Sequence, residues 1–98
     1  MKTLQPQETE LIGKWILDGT QVYGDESCDR IKWLVENIFE KVGYSKEYGA
    51  WETLYRDPSD GRFWVKTYPQ SEIHGGGPPA LKCISEEAAN SEFKTEKA

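Results

Sequence analysis

The sequence predicts an α+β domain: an antiparallel sheet of four to five strands, with one long central helix and a short C-terminal helix packed on one face. Three observations predict it. Two stretches alternate apolar and polar residues about glycine-bearing turns. One stretch between them repeats apolar residues at helical spacing, and a last short strand precedes a serine followed by acids and alanines. The 98 residues are read as one domain, with 1–9 and 94–98 as frayed ends.

Taken in order, "ELIGKWILDGTQVYGD" reads as a β-hairpin. Leu11, Gly13, Trp15 and Leu17 alternate with Ile12, Lys14, Ile16 and Asp18, and Asp18-Gly19 is a favoured turn pair. In "DESCDRIKWLVENIFEKVGY", Ile31, Leu34, Val35, Ile38, Phe39 and Val42 form one continuous helical stripe. Asp25 or Ser27 caps its start, and Lys41 before Gly43 marks its end. "YSKEYGA" is a connector. "WETLYR", "DPSDG" and "RFWVKTYP" then make a second hairpin, in which Pro58 suits a type I turn, Asp57 accepts from its amides and Gly61 takes the left-handed position. "ALKCIS" is a final strand, and Ser85 caps the helix "EEAANSEF".

Only 37% of the residues are apolar, but four Trp, five Tyr and three Phe concentrate that fraction in large side chains. The formal charge is −5, with acids spread along the chain. Nucleic acid and anionic membranes need clustered Lys and Arg, so both are excluded as partners, while a basic protein fits. "MKTLQPQETELIGKW" has no apolar run of the length a signal peptide or membrane span needs, which places the chain in the cytoplasm. Cys28 and Cys83 are then reduced thiols with apolar neighbours, as in a core.

"SEIHGGGPPALKC" is the stretch that tests for chemistry, since it holds the one histidine, His74. A phosphate loop needs Lys and Ser/Thr after its glycines, and here Pro78 and Pro79 remove amide donors instead. A zinc site needs three or four ligands, and no paired Cys or His spacing occurs. No nucleophile elbow is present, and Cys83 sits in an apolar strand where thiols are inert. Glu72 with His74 makes an acid/base pair only in a particular loop shape. No cofactor, metal or catalytic residue is therefore expected. Gly75, Gly76 and Gly77 give the loop backbone freedom, Pro78 and Pro79 fix its exit, and His74 is a structural residue or a partner contact.

The run "ELIGKWIL", "DRIKWL" and "WETLYRDPSDGRFWVKTYPQSEIHGGGPPALKCIS" resembles the bacterial immunity protein 27 family of polymorphic toxin systems, from about Glu10 to the last helix. "YPQSEIHGGGPP", joined to the Trp-bearing hairpin, is its most specific part. The resemblance implies an α+β immunity protein that binds a cognate toxin domain and protects the producing cell. The family's glycine motif falls on Gly75, Gly76 and Gly77 and its tryptophan on Trp64 or Trp51, and no catalytic residue carries over.

A binder needs aromatic anchors and complementary charge. The second hairpin offers Tyr55, Trp64 and Tyr68 on one face, with Trp51 joining them if the register turns it outward. Asp57, Asp60, Glu52 and Glu72 would steer a basic toxin such as a nuclease. Two other readings stay open: a small hydrolase that uses His74 with Glu72 or Cys83 to reverse a toxin's modification, and an interaction domain unrelated to toxins.

Overall fold

A computed structural model of the chain describes residues 3–69 and 77–95. Its elements run β1 (Glu10–Ile12), β2 (Trp15–Asp18), β3 (Gln21–Gly24), α1 (Glu26–Asn37), β4 (Glu40–Ser45), β5 (Gly49–Arg56), β6 (Phe63–Thr67), β7 (Ala80–Ile84), α2 (Glu86–Glu92) and β8 (Phe93–Thr95). The α+β class and the antiparallel sheet are those the sequence predicts. The main sheet is larger than expected, with six strands in the order β1-β7-β6-β5-β4-β8. β2 and β3 pair only with each other, as a separate two-stranded ribbon.

The register explains the core. Leu54 faces Val65 and Tyr55 faces Trp64, so each pair sits on the side opposite the other. On one side Tyr55, Trp64 and Leu81 pack with Ile31 and Leu34 of α1, Phe39 and Leu4. On the other, Leu54 and Val65 pack with Ala89 of α2 and Phe93, flanked by Val42, Phe63 and Ile84. The two helices thus cover opposite faces instead of sharing one. The reason is compositional: alternate positions of β5 and β6 are apolar on both sides, and burying a single such side chain is worth about 1.5–3 kcal/mol.

The long helix stops earlier than its stripe suggests. Asp25 caps it by accepting from the Cys28 amide at 3.0 Å. At the other end, the Ile38 and Phe39 amides both donate to the Leu34 carbonyl, and the Asn37 side chain takes the Trp33 carbonyl at 3.0 Å. Val42 therefore belongs to β4, where a register shift between Lys41 and Gly43 marks a bulge against β5. Val42 fits both periods, and tertiary pairing decides between them.

Two further expectations are corrected. In the ribbon Asp18 pairs with Gln21, so the turn is centred on Gly19-Thr20, with Gly19 at φ +63°, one residue beyond Asp18-Gly19. Of the segment read as frayed, residues 3–9 are tied to the body, while Met1 and Lys2 lie outside the described residues. Leu4 is buried, Arg30 holds both Glu8 carboxylate oxygens at 2.8 Å, and Arg62 donates to the carbonyls of Glu8 and Gln5. Lys94 pairs with Tyr44 in β8, while 96–98 lie outside the described residues.

Candidate functional site

Several residues expected at a partner surface lie inside. Trp64 is fully buried, its ring stacked 6.3 Å from Phe39 with the Arg62 guanidinium 5.0 Å from its centroid. Tyr55 is buried 5.9 Å from the same Phe39 ring. The face proposed for a partner is the face that α1 covers, because Ile31 and Leu34 need an apolar floor. Asp57 is buried as well. Its Oδ1 accepts from the Ser59 amide at 2.9 Å and the Ser59 hydroxyl at 2.7 Å, so it shapes the β5–β6 turn, whose Gly61 sits at φ +79°. Asp60 is on the surface but bound: Oδ2 accepts from Arg62 Nε at 2.6 Å and Oδ1 from the Arg62 amide at 3.0 Å. Partial burial pushes its carboxyl up, yet the Arg62 hydrogen bonds outweigh that and hold it below the usual range.

Trp51 and Tyr68 are where an interface can use them. They continue the β5–β6 register beyond Thr53–Lys66, and their rings meet edge to face at 6.0 Å. Trp51 is 65% exposed. Beside it Tyr48, also exposed, projects from the β4–β5 turn. That turn is built by the Ser45 hydroxyl, which accepts from the Glu47 and Tyr48 amides, and by Gly49 at φ +61°. Tyr48, Trp51, Glu52, Thr67, Tyr68 and Pro69 enclose an open groove of about 570 Å³. Burial raises the Glu52 carboxyl's affinity for its proton, and Glu47 and Glu92 nearby raise it further.

The ribbon is a surface that the sequence reading did not single out. Ile16 faces Tyr23 and Leu17 faces Val22, so both of its sides carry apolar side chains, and all four are exposed. The signal was present in "WIL" and "VY", which lack the polar alternate of a half-buried strand. A second depression, lined by Trp15, Ile31 and Lys32 among others, shares Trp51 and Tyr68 with the groove. The base of the ribbon, at Trp15 and Gly24, thereby borders the depression that adjoins the groove.

The glycine loop is divided. Glu72, His74, Gly75 and Gly76 lie outside the described residues. Gly77 and Pro78 are buried, and the Pro79 carbonyl accepts from the Gly13 amide at 2.9 Å. A Cβ on Gly13 would stand 2.6 Å from that oxygen and 2.5 Å from Cys28 Sγ, which explains glycine there. Burial pushes the Cys28 thiol up, the direction that suppresses thiolate, and the Asp25 carboxylate adds to it. Among the described residues no three His, Cys, Asp or Glu side chains gather as a metal centre would require. No helix among them is long and apolar enough to cross a membrane.

Comparison with curated proteins and with solved structures gives no match. Comparison with family models matches Immunity protein 27 over residues 17–85, a span from the middle of β2 through β7 that holds α1, the groove and the glycine loop. With more than two thirds of its length inside that match, the chain belongs to the Immunity protein 27 family.

Proposed function

We propose that this protein binds a cognate toxin domain in the cytoplasm and neutralises it as a one-to-one complex, by occlusion rather than by chemistry. One observation carries the reading: Ile12, Trp15, Ile16, Leu17, Val22, Tyr23, Tyr48 and Trp51 are exposed on a chain of 98 residues. Large apolar side chains exposed in this number, Trp and Tyr among them, support a docking role. A standard interface of about 800 Å² per partner would cover roughly one eighth of the 6633 Å² surface. Trp51 and Tyr68 serve as anchors, since buried Trp and Tyr dominate interface energetics. The family match supports the toxin as the partner class.

Co-expression with the toxin domain encoded beside it, followed by size-exclusion chromatography, is expected to give a stable one-to-one complex. Separate elution of the two at micromolar concentration overturns the reading. His74→Ala separates binding from catalysis. A folded variant that still protects cells supports occlusion, whereas complete loss of protection with the complex intact points to an enzyme.

A further inference from the structure

Residues 14–18, "KWILD", are exposed without a break. The ladder with β3 fixes which way their backbone groups point. Asp18 and Gln21 close the two-residue turn as a hydrogen-bonded pair, and Ile16 with Tyr23 forms the next. The Asp25 amide on the Lys14 carbonyl, at 2.9 Å, marks the third. The pairs between them are not hydrogen-bonded, so the N–H and C=O of Trp15 and Leu17 are directed away from β3, along the outer edge of β2. Among the described residues no other strand takes that edge. It also lacks the usual protection, with no proline, bulge or charge within Trp15–Leu17, whereas β8 carries Lys94 at its centre. The edge of β3 is less open, because Gly24 is half-buried against Cys28 of α1.

We propose that β2 pairs antiparallel with β2 of a second copy of this chain, about a twofold axis at Ile16, joining two ribbons into one four-stranded sheet. In that register Trp15 of each copy faces Leu17 of the other, and these are the two residues whose backbone groups point outward. Ile16 meets Ile16 on the opposite side of the sheet, in the closer, non-hydrogen-bonded kind of pair. Lys14 faces Asp18 at both ends, so opposite charges meet twice. The segment is thus complementary to its own reverse in charge and in apolar character, which favours a second copy over an unrelated strand. Five residues a side fall short of the roughly 20–30 of a standard interface, and the Kd expected is on the order of 100 µM. The inference goes beyond the toxin reading: two copies that each hold one toxin keep the one-to-one ratio, and Tyr48 and Trp51 lie outside β2.

The test needs no toxin, so its failure leaves the toxin reading untouched. Sedimentation equilibrium of the full chain is run in about 150 mM salt, where the charge of −5 on each copy is largely screened. Self-association to twice the chain mass is expected between about 10 and 500 µM. Lys14→Asp and Asp18→Lys each set like charges opposite one another and should each weaken the dimer about fivefold. Both sites are exposed, so both variants should stay folded, which circular dichroism checks. An equimolar mixture of the two restores opposite charges at both ends and should dimerise at least as well as the unaltered chain. A chain that stays monomeric at about 500 µM overturns the proposal. So does a dimer indifferent to both single changes, or a mixture that recovers nothing. A monomer whose toxin complex weakens with Lys14→Asp gives the edge to the toxin and overturns it too.

Discussion

At the Glu8 carboxylate, two hydrogen bonds from one guanidinium hold an otherwise ordinary surface acid. The Arg30 hydrogen bonds are the main reason its carboxyl titrates at about 2 instead of 4.5, with the Gln5 amide next. A folded-state value below the unfolded one stabilises the protein above about 4.5 and loses that contribution as pH falls towards about 2. Both side chains keep some contact with water, so screening limits the effect to about 1 kcal/mol. Glu8→Gln should therefore lower stability by about 1 kcal/mol at pH 7 and flatten the acid limb, with both proteins converging below pH 2, as urea melts would show. The tryptophans give a sharper contrast. Trp64→Ala opens a cavity in a fully buried site and should cost about 3–5 kcal/mol. Trp51→Ala should stay within about 0.5 kcal/mol while weakening toxin binding at least tenfold. Thermal melts and calorimetric titration separate the two. Reading pattern alone could not rank these residues, because both alternate correctly on strands; only the placement of α1 tells core from surface.

Among the elements, the ribbon and α1 are joined through glycines. Gly13 meets Cys28 and Pro79, and a Cβ on Gly24 would lie 2.7 Å from the Cys28 Cβ. Gly13→Ala should thus destabilise by about 1–3 kcal/mol, since backbone and a buried thiol must both move. The ribbon's outer residues behave oppositely. Leu17→Ser with Val22→Ser should leave the melting temperature nearly unchanged and weaken the toxin complex, by calorimetric titration, if both lie in the interface. Hairpins were the most legible elements, because Gly19 and Gly61 signal turns through backbone angles that few residues adopt. The end of α1 was not legible, since Ile38, Phe39 and Val42 satisfy a helical stripe while β5 captures the chain from Glu40 onward. The strand after α2 was hidden as well: "FKT" is too short to signal itself and exists by pairing with β4.

The whole molecule measures 45 × 29 × 23 Å with a radius of gyration of 13.8 Å. A compact chain of this length would have about 12.6 Å. Its surface of 6633 Å² likewise exceeds the roughly 5,700 Å² that size alone suggests. Charge acts at the same scale. With a net charge of −5, association with a basic toxin should slow severalfold between 50 and 500 mM salt while dissociation changes little, which stopped-flow mixing would resolve. The fold class was readable from composition and spacing. The proposed docking surface was readable only in part, because it joins Trp15 to Tyr48 and Trp51, two separated stretches that no local pattern links.

Both outer strands of the main sheet come from the two ends of the chain, β1 on one side and β8 on the other. Leu11 must wait for Leu81, 70 positions later (81 − 11), before it finds its neighbour. At ribosomal speeds that wait is roughly 4–14 s. The central meander can zip up while translation continues, and β1 joins it only once β7 has been made. Slackening that seam, for instance with Leu11→Ala, should hasten unfolding and scarcely slow folding. Until β7 emerges, β1 has no strand to pair with and stands as an open edge.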